Sequence, residues 1–159
     1  MDSTEESTVT THHVLVPIDF SADAEQALDY AIRLARTLQA RLTLLHVIEP
    51  LAVGRMDALP YTFVHDLEDK ITQAMEPYRE RAQAAGLRCD FAILHGIPFS
   101  VIVDIARREH TDLIIMGTHG RTGLRHVLLG SVTERVFRLA PCPVLVTRLH
   151  ASATPQEAQ

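Results

Sequence analysis

Short apolar runs alternate with longer segments in which apolar residues recur every three or four positions, and the alternation holds from His13 to Thr147. Runs of the first kind predict strands covered on both faces, and segments of the second kind predict amphipathic helices. His13 to Ile18 is the first predicted strand. Ser21 caps a helix in which Ala24, Ala27, Leu28, Ala31, Leu34, Ala35 and Leu38 share one face. Leu42 to Val47 is the second strand, and Pro50 to Tyr61, with Gly54 and Pro60 and no clear period, is a loop. Val64, Leu67, Ile71, Ala74, Met75, Tyr78 and Ala82 mark a second helix over Val64 to Ala85, with a kink expected at Pro77 and a stop at Gly86. A strand over Arg88 to Leu94, a helix from Pro98 to Arg108, a strand over Asp112 to Met116, a helix from Ser131 to Leu139 and a strand over Val144 to Thr147 complete the order. Five strands joined by helices predict an α/β fold, an open doubly wound parallel sheet with helices on both faces.

The connection after the fourth strand carries the candidate chemistry. It reads Gly117-Thr-His119-Gly120-Arg121-Thr-Gly-Leu-Arg-His-Val-Leu-Leu-Gly130-Ser131 and follows the apolar run Leu113 to Met116. Glycine lacks Cβ and lets backbone N–H groups approach an anion closely. Ser131-Val132-Thr133-Glu134 reads as a capping box, so the loop ends at a helix N-terminus with free N–H donors and a positive dipole end. Taken singly, each glycine also fits an ordinary role: Gly117 ending a strand, Gly120 and Gly123 in turns, Gly130 starting a helix. The set fits a phosphate loop better. A connection from Thr118 to Gly130 is long for a compact domain, and such loops are usually functional or disordered. Leu124, Val127, Leu128 and Leu129 argue for packing, while His119, Arg121, Arg125 and His126 with no acid between Asp112 and Glu134 give local positive charge.

The spacing Gly-x2-Gly-x9-Gly-Ser after a buried strand resembles the nucleotide-binding signature of the universal stress protein family. Val14-Leu-Val-Pro17-Ile18-Asp19-Phe-Ser21 and Cys142-Pro-Val-Leu-Val146 resemble its first and last strands, and the likeness runs from about His12 to Arg148. The resemblance implies the ATP-binding branch of that family and an adenine-nucleotide alpha hydrolase-like sheet of order 3-2-1-4-5. That order places the ends of strands one and four at the switch point where ligands bind in such sheets. By the same resemblance Asp19 holds the ribose, the Val47 backbone reads the adenine edge, and Pro17, Ile18 and Met116 form the surrounding wall. Gly117, His119, Gly120, Arg121, Gly130, Ser131, Val132 and Thr133 are the matching loop and helix-start positions. Read from the residues alone, Asp19 is also a helix-start acid, and Pro17, Ile18, Val47 and Met116 are also core.

Length and composition change the picture little. The 159 residues, 47% of them hydrophobic and without a long low-complexity tract, predict one domain over residues 12–149, with polar tails at 1–11 and 150–159. A net charge of −5 and scattered arginines disfavour nucleic acid. The acidic start does not read as a secretory signal, no run approaches the roughly 20 apolar residues of a membrane helix, and Cys89 and Cys142 read as reduced thiols. A cytoplasmic protein is expected.

Other chemistries are demoted on residues. Lys70, the only lysine, lies within the second predicted helix, so a P-loop NTPase is excluded. None of the nine histidines has zincin or finger spacing, and no protein-ligated metal is expected, although magnesium or manganese could arrive on the triphosphate. Cys142 reads as a small buried hydrophobe rather than a nucleophile. A receiver domain phosphorylated at Asp19 lacks its companion acids. Two classes stay open: a nucleotide-binding regulatory module responding to stress through protein partners not identifiable from sequence, or a slow ATPase or nucleotidyl transferase using the same loop. The last strand falls at the sheet edge in the implied order, and a homodimer through Val144 to Thr147 is expected, as is common in the family.

Overall fold

The computed structural model describes residues 10–50, 61–119 and 129–148. It contains β1 (His13–Pro17), α1 (Ala22–Leu38), β2 (Arg41–Ile48), α2 (Tyr61–Ala84), β3 (Cys89–His95), α3 (Pro98–Arg108), β4 (Leu113–Gly117), α4 (Ser131–Leu139) and β5 (Val144–Thr147). The strands pair in parallel in the order β3-β2-β1-β4-β5. This is the doubly wound sheet that the alternation predicts, with the direction of winding reversing between β1 and β4.

Period two along the strands splits the core into two layers. Val14, Val16, Leu42, Leu44 and Ile115 face α1 and Met75 of α2. Leu15, Leu45, Ile114 and Met116 face Ile102 and Ile105 of α3 and Val136 of α4. Residues buried on both sides explain why the strands read as continuous apolar runs.

Helix ends follow the sequence with two exceptions, the first being α2, which begins at Tyr61, three residues before the expected Val64. Ser21 caps α1 as expected, its hydroxyl accepting the Ala24 N–H at 3.2 Å, and Gly86, at φ +84°, closes the turn after α2. Pro77 lies inside one continuous α2. The side chains of 61–64, Val64 included, lie outside the described set. On α1 Ile32 is buried while Leu38 is exposed, because the helix turns its last apolar position outward just before the left-handed cap at Gln39. The second exception bears on the site. The expected capping box at Ser131 is not formed: Gly130 is the N-cap of α4, no side chain caps it, and Ser131 is the first helical residue. The Gly130 N–H donates to the Thr118 carbonyl at 2.8 Å, which pins the helix start one residue earlier than the Ser-x-x-Glu pattern suggests.

β1 is the short strand at the reversal. Pro17 pairs with Leu45, whereas β2 runs on through Ile48. Backbone groups alternate in direction: Arg41 N–H and Leu45 C=O bond toward β1, while Leu42 N–H and Ile48 C=O bond toward β3. Val47 therefore turns its N–H and C=O to the side where β1 has ended. The next ladder acceptor, the Ile18 carbonyl, is taken instead by His46 Nδ1 at 2.7 Å. The chain then bends at Phe20, which sits at φ +63° with its ring 4.8 Å from that of His46 and 5.8 Å from that of Tyr78. A bulky residue in the left-handed region is strained by about 1–3 kcal/mol, and packing of the ring holds it there.

Candidate functional site

The crevice above the end of β1 is bounded by β2 on one side and β4 on the other. Asp19 follows the end of β1 by two residues and is half-buried, with one carboxylate oxygen accepting the Ser21 N–H at 3.0 Å. That bond fixes the carboxylate at the start of α1 and spends one of its two oxygens. Pro17 ends β1 and is half-buried, Ile18 is 2% exposed and belongs to the core, and Met116 is buried against α3 and α4. Val47 contributes its side chain to the layer under α3 and α4 and its backbone to the crevice. Nearby, Tyr78 keeps its proton, because burial and a hydrogen bond with Glu25 push it up to about 12.

The other wall is the junction of β4 and α4. Thr118 N–H and hydroxyl both donate to the Thr147 carbonyl, at 2.9 and 2.7 Å, anchoring the exit of β4 to the end of β5. The buried Thr133 hydroxyl donates to the Gly117 carbonyl at 2.9 Å and ties α4 to the same point. Thr133 is thus engaged structurally, Val132 is half-buried in the core layer, and Ser131 is exposed at the first helical position. Since Gly130 brings no capping side chain, the first-turn N–H groups of α4 are not satisfied by a cap of their own. Gly130 has φ −64° and ψ 152°, which any residue adopts, so only a close neighbour could demand glycine there. Gly120 and Arg121 lie outside the described residues, as do Gly123, Leu124, Arg125, His126, Val127 and Leu128.

Asp23, which the pattern of the sequence did not single out, joins the two walls. It lies in the first turn of α1 and is 8% exposed. Its Oδ2 accepts the His119 N–H at 2.8 Å and stands 3.3 Å from His119 Nδ1. Gly117 is required by this contact: a Cβ there would fall 2.6 Å from the Asp23 Cβ and 2.8 Å from its carbonyl carbon. An acid early in a helix reads as a dipole partner, so nothing local in the sequence signals a contact across 96 positions.

The remaining candidates do not gather into a site. Among the described residues no group of three or more histidines, cysteines or acids could hold a metal. Burial pushes the Cys89 thiol up to about 12 and raises that of Cys142, so both disfavour the reactive thiolate. No helix among the described residues is long and apolar enough to cross a membrane.

Residues 10–148 match the model of the universal stress protein family. The chain belongs to that family. It is 36% identical over 152 residues to the universal stress protein MJ0577 of Methanocaldococcus jannaschii, covering 85% of this chain and 93% of that one. The solved structure of MJ0577 superposes with a TM-score of 0.83 at 35% identity, over 91% of this chain and all of the other. UspA from Lactobacillus plantarum follows at 0.79 and 30%, over 87% and 98% of the two chains. A universal stress protein solved in complex with cAMP has the same fold at a TM-score of 0.68 and 24% identity, over 87% and 98%.

Proposed function

We propose that this universal stress protein binds ATP in the crevice above β1 and acts in the cytoplasm as a nucleotide-dependent regulatory module of the stress response. The observation that carries the reading is the uncapped N-terminus of α4 tied to the end of β4 at the winding reversal, with Asp19 and the outward backbone of Val47 on the facing side. Helix N-termini of this kind bind phosphate through N–H donors and the dipole. Asp19 retains one oxygen for ribose hydroxyls, and the donor and acceptor of Val47 suit an adenine edge. Pro17, half-buried at the end of β1, offers the apolar contact, with Ile18 and Met116 as the core behind it. Gly117, His119, Gly120, Arg121, Gly130, Ser131, Val132 and Thr133 make up the phosphate end of this reading, with magnesium or manganese carried by the triphosphate. The cAMP complex of a protein with this fold supports an adenine nucleotide as the ligand class.

The decisive measurement is the nucleotide released when the purified protein is denatured. Recovery of ATP at near one equivalent is expected; a preparation that releases none and shows no calorimetric binding of ATP removes the reading. The protein is expected to hold its nucleotide rather than turn it over. A steady-state ATPase rate of about 1 to 10³ s⁻¹, lost in Asp19→Ala, would replace the module by the enzyme alternative.

A further inference from the structure

Three contacts of Asp23 converge on the place where the glycine connection leaves β4. Its Oδ2 accepts the His119 N–H, the same oxygen lies beside the His119 ring, and its Cβ rests against Gly117 where any other residue would carry a side chain. An acid that serves the α1 dipole is stabilised there even in water, so the dipole by itself does not call for burial of the carboxylate. Asp23 is instead 8% exposed, and a desolvated carboxylate persists only where donors compensate it. The compensating donors belong to His119, the last described residue before Gly120.

We propose that Asp23 is a positioning residue for the polyphosphate. By clamping His119 to the first turn of α1, it holds the exit of β4, Gly117 to His119, in place beside the N-terminus of α4, where the phosphates are received. This deepens the adenine-nucleotide reading above and rests on it. The adenosine end of the ligand, held at β2 and Asp19, does not depend on that clamp, so loss of Asp23 acts on phosphate-dependent affinity alone.

The test is calorimetric titration of magnesium ATP and of AMP into wild type, Asp23→Ala and Asp23→Asn. Losing a charge-assisted hydrogen bond corresponds to about tenfold or more, so Asp23→Ala is expected to weaken ATP by about that factor and AMP by less than about threefold. In Asp23→Asn the amide oxygen still accepts the His119 N–H, and the ATP-to-AMP ratio is expected within about threefold of wild type. Equal weakening of both ligands, no weakening of either, or an asparagine variant no better than alanine overturns the proposal. If Asp23→Ala does not fold, Asp23→Ser, too short to span the contact, is read by the same criterion. A wild type that binds neither nucleotide removes the nucleotide reading itself, an outcome separate from a wild type that binds both while the variants leave the ratio unchanged.

Discussion

Two serines that look alike in sequence have different roles. Ser21 and Ser131 each precede a helical run, and each is followed by acids, yet only Ser21 caps. Ser21→Ala is expected to cost about 1 kcal/mol in urea denaturation, and Ser131→Ala less than about 0.5 kcal/mol, because an exposed first-turn serine satisfies no orphan donor. Comparable losses in the two variants would mean that the α4 cap is assigned to the wrong residue. Gly117→Ala is expected to lose about 1–3 kcal/mol, since its Cβ would meet the backbone of Asp23 and not merely a mobile side-chain tip. The Ser21 cap was legible because hydroxyl, helical period and first-turn acids agree. The choice between Gly130 and Ser131 was not, since both are acceptable caps and the deciding bond comes from Thr118. Asp23 was invisible for the same reason: its partner is brought up by the sheet.

At the scale of elements, β1 and β2 were legible as buried runs, and their relative lengths, which open the crevice, emerge only from register. The start of β1 holds a polar counterpart to the site at its end. His13, 2% exposed, has Nε2 2.8 Å from the Thr43 hydroxyl and 3.6 Å from Glu109, and Nδ1 3.4 Å from the Thr111 hydroxyl. Asp112 accepts the N–H groups of His12 and His13, while Arg41 lies beside Glu109. Burial first, and then Arg41, hold the His13 pKa below its ordinary 6.5, with Glu109 and Asp112 partly opposing. The neutral ring is therefore the native form. Its contribution to stability is complete above the unfolded value and is lost as pH falls below 6.5 toward the lowered folded value, with a slope of at most about 1.4 kcal/mol per pH unit. The stability gap between wild type and His13→Asn is expected to narrow from pH 8 to pH 5 in chemical denaturation. A gap that stays constant would show that His13 does not titrate differently in the folded chain.

At the scale of the whole molecule, the strand order leaves β5 on an edge, and edges invite a second chain. Pro143 and Thr147 carbonyls accept from Ile114 of β4 and from Thr118 just beyond it, so by alternation Val144 and Val146 turn their N–H and C=O groups outward. Beside them α4 exposes Phe137 at 62% and Leu139 at 49%, apolar area that pairing of two copies would remove from water. A homodimer closed by two-fold pairing of β5 with its own copy satisfies both features. A charge at Leu145 would test this poorly, because that side chain packs against the core under α1. Val146→Pro is the sharper change. Proline removes one outward N–H while leaving the ladder to β4 intact, and edge strands tolerate it. Sedimentation equilibrium is expected to give a dimer for wild type at micromolar concentration and a monomer for Val146→Pro with unchanged secondary structure. A monomeric wild type sinks the assembly, and a dimer indifferent to Val146→Pro would place the interface on some other face.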